Sequence, residues 1–418
     1  MYCMHRVIIV GGGFAGVSVA RQLAKRSSRK AVEIVLIDER SEHVYTPWLY
    51  EVATAFSPVR AERVVRRVRT RASIPFAQFP GYGDIRITQK RVAHIDKHTA
   101  QITYEDGTTI RGDVLVLAVG SLANDFDIPG VRSYTHMLKT PKDAEQISVR
   151  FERLLNDIAH HRIDAANIVV VGAGANGVEL AGEIAMVRRR CAQLWDFDES
   201  RVRVTLCDSH NEPVYMFPRS VRTRVARRLT KLGITFEANA VVREITPGEV
   251  HTAKKSIPFD IALWSAGVKS QKEPGEIWGL AVNARGRVRV DATFRVLGSE
   301  KIFALGDAAV RESDSGNDPQ SAQAASAQAH YVAKNILAFL AGKTLVPFVP
   351  RTWQTLLAVG GAYGVGSIFG IPVWGRFAFY LRRLVDLKYF LSVFPLVSAG
   401  ILWYRGVNVY GKNHSSRS

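Results

Sequence analysis

The sequence predicts an α/β fold of two Rossmann-like units in tandem, the first interrupted and later resumed, with a distinct C-terminal region. Three observations carry this. Two glycine-rich turns, Gly11-Gly12-Gly13-Phe14-Ala15-Gly16 and Gly172-Ala173-Gly174-Ala175-Asn176-Gly177, each follow a short apolar run (Val7 to Val10; Ile168 to Val171). Each turn leads into a stretch with small residues on one face, the strand–turn–helix context that a dinucleotide fingerprint requires. Each unit then closes on a second apolar run ending in glycine, Asp113 to Gly120 and Phe259 to Gly267.

The glycines have separate tasks. Gly11 and Gly172 permit the tight turn out of the strand, Gly13 and Gly174 let backbone approach a pyrophosphate, and Gly16 and Gly177 let helix pack on strand. The pyrophosphate then lies at a helix N-terminus, where free N–H groups and the dipole favour negative charge. Two copies imply two dinucleotides held at once and electron transfer between them. An acidic residue should end the next strand and bind a ribose. Asp38, followed by Glu39, closes Val32 to Ile37 about 20 residues after Gly16, as the fingerprint expects. Asp208 closes Val202 to Cys207 at a longer spacing. Its carboxylate would accept from a free 2′-hydroxyl and repel a 2′-phosphate, which selects NADH over NADPH; a plain loop aspartate is the other reading.

Composition bounds the class. The chain has 418 residues, enough for two or three domains, and 47% apolar content, which excludes disorder and wholesale membrane embedding. Cys3, Cys191 and Cys207 are its three cysteines. They make no CxxC pair, zinc pattern or disulfide framework, so a redox dithiol and a metal site are not expected. Met1 to Arg6 run straight into the first strand, which leaves no visible signal peptide and makes a reducing, cytoplasmic setting the default.

The net charge of +18 calls for an anionic partner. Arg60, Arg63, Arg66, Arg67, Arg69 and Arg71 form one basic stretch; Arg222, Arg224, Arg227, Arg228 and Lys231 form another. Neither carries a nucleic-acid-reading motif. Each reads either as a solvated helix face or as a surface drawn to anionic lipid. From Thr352 to Gly375 glycines break any helix, and short strands and turns are expected. Phe377 to Leu391 interleaves aromatic and leucine residues with Arg382, Arg383 and Lys388, the pattern of an amphipathic interfacial helix. Ser392 to Tyr404 is too short to span a hydrocarbon core of about 20 residues. The chain is therefore expected to lie on a membrane without crossing it. A C-terminal helix packed on the protein's own core, or on a second copy as a homodimer contact, is the alternative. The tail beyond Tyr410 is expected to be disordered.

Downstream, Ile302 to Leu305 ends in Gly306-Asp307. This resembles the second FAD-binding motif of the two-dinucleotide-domain flavoproteins, in which the aspartate binds the ribityl chain. His43-Val44-Tyr45-Thr46-Pro47-Trp48-Leu49-Tyr50-Glu51-Val52-Ala53-Thr54, Gly177 to Glu183, Trp264 to Val268 and Ala322 to Gln328 together resemble the type II NADH dehydrogenases, the single-chain NADH:quinone oxidoreductases. The likeness covers nearly the whole chain in order. One departure stands at the quinone-side motif: Ala327 occupies the family's final glutamine position, with Gln328 beside it and Gln323 retained.

The resemblance implies an FAD-binding domain in two parts (1–123 and 268–345), an NADH-binding domain (124–267), a membrane-surface region (346–412) and a disordered tail (413–418). It implies FAD contacts from Gly11, Gly13, Phe14, Ala15, Gly16, Asp38, Glu39, Thr46, Pro47, Gly120 and Asp307. NADH contacts would come from Gly172, Gly174, Asn176, Gly177, Glu179, Asp208, Ala266 and Gly267, and quinone contacts from Gln323 and Gln328. Glu179 and Gln323 would be the catalytic pair. Glu179 reads either as a carboxylate settled by a helix dipole or, from the family, as a group at the nicotinamide–flavin contact that helps protonate the quinone. The expected reaction is hydride transfer from NADH to FAD, then two electrons to a membrane quinone, without proton pumping, on the cytoplasmic face of a bacterial cell membrane. A sulfide:quinone oxidoreductase and a non-catalytic NAD(H)-sensing flavoprotein are the rivals.

Overall fold

The computed structural model describes residues 4–27, 31–55, 72–79, 84–312, 319–350 and 355–414. The Arg60 to Arg71 stretch lies outside them.

The first unit begins with β1 (His5–Val10), the helix α1 (Phe14–Arg26) and β2 (Val32–Asp38), followed by α2 (Leu49–Ala53), β3 (Ile85–Gln89) and β4 (Val114–Leu117). Val7, Ile8, Ile9, Ile34 to Ile37 and Val114 to Leu117 are almost fully buried, as a parallel sheet covered on both faces requires. The second unit repeats the scheme: β5 (His136–Met137), α3 (Pro141–Ala159), β6 (Ala166–Val171), α4 (Ala175–Trp195), β7 (Val202–Cys207), α5 (Arg219–Lys231), β8 (Ile234–Glu237) and β9 (Ile261–Trp264). The chain then returns to the first unit through β10 (Ile302–Ala304), which pairs parallel with β4, and α6 (Ala322–Leu340), which packs on α1.

The sheet orders are β10-β4-β1-β2-β3 and β5-β9-β6-β7-β8, parallel throughout. Each central four-strand pattern is the same, so both glycine turns open at the carboxyl ends of their sheets, where such folds bind nucleotides. The crossings between units pair as a two-stranded antiparallel link, Ser121–Ala123 against Val268–Ser270.

The C-terminal region forms the antiparallel strands β11 (Thr355–Ala358), β12 (Gly364–Ile368) and β13 (Ile371–Trp374), then helices α7 (Gly375–Val393) and α8 (Leu396–His414). The strands and turns expected after Thr352 are present. Past Tyr410, where disorder was expected, α8 continues to His414, and the rest of the tail lies outside the described residues. Among the described residues, no helix is long and apolar enough to cross a membrane.

Two expectations about the charged stretches need correction. In α7, Arg382 and Arg383 turn inward, not to a lipid interface: Arg383 is 3% exposed. The carboxylates of Glu51, Glu179 and Asp386 lie on that inner side and take the guanidinium charges. Lys388 does stay exposed, with Arg376 and Arg405, and the outward face of α7 and α8 otherwise carries apolar side chains, with Phe377, Tyr380, Leu384, Leu396, Val397 and Tyr404 exposed. In α5, much of the basic run is neither a free solvated face nor a lipid patch. Arg228 donates to the Val359 and Gly360 carbonyls, Arg224 lies over the Trp374 ring, and Arg222 pairs with Glu212. Arg224 and Arg228 tether the C-terminal hairpin to the second unit, while Arg227 and Lys231 stay exposed.

Candidate active site

The glycine turns are built alike. Gly11 (φ +103°) and Gly172 (φ +101°) hold a backbone conformation that side chains disfavour. A Cβ on Gly16 would stand 1.8 Å from the Gly11 carbonyl oxygen, and one on Gly177 1.8 Å from that of Gly172. By contrast, a Cβ on Gly13 or Gly174 would meet nothing within 4 Å. The protein itself makes no demand for glycine there. The open space at the head of each helix fits a pyrophosphate, which explains the missing side chain.

The two strand-end aspartates also match. Asp38 Oδ2 accepts from the Gly12 N–H at 2.6 Å, and Oδ1 from the Arg40 N–H at 2.8 Å and Arg40 Nε at 3.2 Å. Asp208 Oδ2 accepts from the Ala173 N–H at 2.6 Å, and Oδ1 from the His210 N–H at 2.8 Å, with His210 Nδ1 at 2.6 Å. Both carboxylates therefore stand beside the glycine turn, where a ribose diol would reach them. The His210 ring stacks on Tyr215 with centroids 3.5 Å apart. Glu39, expected beside Asp38 at the cofactor, lies just past the end of β2, exposed and 3.8 Å from Arg91.

The return segment completes the first unit. Gly306 lies against Ala15 and Ala325, at the heads of α1 and α6. Asp307 Oδ2 accepts from Ser121 Oγ at 2.7 Å. Gln328, expected on the quinone side, is 3% exposed, and its Oε1 accepts from the Gly306 N–H at 2.8 Å. It shapes the turn that presents Asp307. Gln323 is exposed in the first turn of α6. Gly120, Phe14, Pro47 and Ala266 are half-buried, and Thr46, Asn176 and Gly267 are exposed; all except Thr46 and Pro47 lie in loops or helix starts at the carboxyl ends of the two sheets.

Glu179, one turn into α4, is 5% exposed and meets the C-terminal region. Its Oε1 accepts from the Ala358 N–H at 3.1 Å and lies 3.9 Å from Arg382 Nε. Burial pushes its carboxyl above the usual range, and Arg382 opposes the rise. Around it lies a buried polar network that the sequence did not announce. Arg382 and Arg383 pair with Asp386, Arg383 Nη2 donates to Glu51 at 2.7 Å, and Tyr45 Oη donates to Asp386 at 2.7 Å. Burial raises the Glu51 carboxyl to about 7 against the pull of Arg383. Next to it, His43 lies between the Gly12 carbonyl and Tyr389 Oη, and burial lowers its imidazole to about 4. The motif His43 to Thr54 thus joins the first glycine turn to α7.

The sequence profile of the pyridine nucleotide-disulphide oxidoreductase family matches residues 5–329. Demethylphylloquinone reductase NdbB of Synechocystis is 30% identical over 410 residues, covering 95% of each chain. The type II NADH:quinone oxidoreductase of Haemophilus influenzae is 28% identical over 408 residues, covering 90% of this chain and 91% of that one. The chain belongs to the pyridine nucleotide-disulphide oxidoreductase family, in its type II NADH dehydrogenase branch. A solved structure of NDH2 from Plasmodium falciparum in complex with NADH superposes with a TM-score of 0.81 over 100% of this chain and 99% of that one, at 15% identity, and shows the same fold. Cys191 and Cys207 are free and buried in the second unit, and burial pushes both thiols up to about 12.

Proposed function

We propose that this chain is a non-proton-pumping NADH:quinone oxidoreductase that works through bound FAD. The observation that carries the reading is the duplicated cradle: two glycine turns with matching aspartates at the carboxyl ends of sheets joined by one short link. FAD would be held by the first turn, Asp38 and Asp307, and NADH by the second turn and Asp208. When bound, the flavin supplies hydride acceptance from NADH and two-electron delivery to the quinone. The chain's own work is alignment of the two ring systems and exclusion of water. Asp208 accepts from a ribose hydroxyl and repels a 2′-phosphate.

Glu179, buried and opposed by Arg382, has the setting of a carboxyl that gives up and retakes a proton during quinone reduction. Gln323, exposed at the head of α6, would contact the quinone. The apolar outer face of α7 and α8 and the net charge of +18 support docking on an anionic lipid surface, on the cytoplasmic face of a bacterial cell membrane. Quinone would enter from that side. A sulfide:quinone reductase would need an accessible thiol near the flavin, and the described cysteines are buried in the other unit.

The test is NADH oxidation by the FAD-loaded chain on anionic vesicles containing a long-chain quinone. Repeated turnover is expected, with Leu396→Glu and Val397→Glu together lowering the vesicle rate while sparing the rate with a water-soluble quinone. A single flavin reduction with no turnover by any quinone would support the NAD(H)-sensing reading and defeat this one.

A further inference from the structure

One cation stands at the junction of the two units and enters no step above. Lys139 follows β5 by two residues and precedes Thr140, the N-cap of α3. Its ammonium donates to Ser121 Oγ at 3.3 Å, and Ser121 Oγ donates in turn to Asp307 Oδ2. Three segments meet here: the turn after β4, the turn after β10 and the turn after β5. The first two leave the carboxyl end of the first sheet and the third leaves that of the second, so the cluster sits where the two nucleotides would face each other. Lys139 is half-buried. Burial lowers its proton affinity below the usual lysine value, and the Asp307 carboxylate opposes the fall.

We propose that Lys139 is the positive charge that balances the reduced flavin, held in place by Ser121 and Asp307. The inference rests on the FAD reading above and adds a residue to it. A hydride brings two electrons and one proton. A neutral flavin that accepts it, and takes no second proton, carries one negative charge. That charge resides on the N1 and C2-carbonyl side of the ring, next to N10, where the ribityl chain is attached. Asp307 is the ribityl-binding position by resemblance, so a cation one serine away from it lies beside the part of the ring that becomes negative. A lysine that only tied β5 to the turn after β4 would have no effect on the flavin's electronics.

The experiment measures the two-electron midpoint potential of the bound flavin across pH, in the FAD-loaded full chain and in Lys139→Met, Lys139→Arg and Ser121→Ala. The intact chain should take up one proton with two electrons near neutral pH. In Lys139→Met the reduction equilibrium should fall at least tenfold, about 30 mV for a two-electron couple, and two protons should accompany the electrons. Lys139→Arg should keep the midpoint of the intact chain, and Ser121→Ala should show a smaller loss than Lys139→Met. A Lys139→Met flavin with unchanged midpoint and unchanged proton uptake overturns the inference while leaving the FAD reading intact. If Lys139→Met does not fold, Ser121→Ala decides: an unchanged midpoint there overturns it. An intact chain that takes up no FAD defeats the functional reading instead.

Discussion

The two Rossmann units share a central strand order, a glycine turn and an aspartate clamp, and differ in what closes over them. In the first, the outer strand β10 is supplied by the returning chain and delivers Asp307. The segment from His43 and the helix α7 also cover it: Phe14 packs on the rings of His43, Tyr45 and Tyr389. In the second, the outer strand β5 has two residues, and the turn keeps Gly174 and Asn176 exposed. One cradle is enclosed by sequence-distant pieces and the other is open. The difference suits a resident cofactor in the first unit and an exchanging substrate in the second.

Several substitutions break or sharpen that contrast. The largest effect should be shared by both units. Gly16→Ala and Gly177→Ala each force a Cβ against a backbone oxygen 1.8 Å away, and each should cost roughly 3 kcal/mol or more in unfolding experiments. Next, Gly13→Val and Gly174→Val should separate the units, because a Cβ at either position meets no protein atom within 4 Å. Gly13→Val should yield a folded, colourless chain. Gly174→Val should remain yellow while its KM for NADH rises about 100-fold, about 2.7 kcal/mol. Asp208→Asn should be milder, with KM for NADH up about tenfold and NADPH discrimination down by a similar factor, read in steady-state assays with both nucleotides.

The smallest effect concerns the cover of the first unit. His43, lowered to about 4 in the folded chain, contributes stability that is complete above its unfolded value of 6.5 and is lost as pH falls towards 4. Glu51, raised to about 7, behaves oppositely: its contribution is complete below 4.5 and is lost as pH rises towards 7. Arg383, Asp386 and Glu183 set the field at Glu51, and Arg40 and Asp38 that at His43. In the overlap the two slopes oppose each other. Denaturant melts should show Glu51→Gln gaining stability with pH between 4.5 and 6.5, and His43→Asn losing it between 4.5 and 7. Each slope should be at most about 1.4 kcal/mol per pH unit, with the unsubstituted chain flatter than either.

What the sequence made legible was backbone geometry. The glycine turns, the strand-end aspartates and the return to Gly306-Asp307 follow from local rules of turn, pleat and spacing, and each lies where those rules put it. Long side chains were read less well, because their direction depends on distant partners. Arg383 reads as interfacial until Glu51, 332 positions away in sequence, is brought against it. Gln328 reads as a quinone-side amide until the turn after β10 presents the Gly306 N–H. The Arg222 to Lys231 run reads as a free basic face until the C-terminal hairpin supplies carbonyls and a tryptophan ring. Lys139 and Ser121 gave no signal at all, since their significance arises where the two units meet.

Anaerobic stopped-flow absorbance of the FAD-loaded chain tests the central claim most directly. Flavin colour should bleach on mixing with NADH, bleach far more slowly with NADPH, and return within the turnover time when a water-soluble quinone is added. A flavin that NADH leaves oxidised, or that no quinone reoxidises after reduction, would contradict the account.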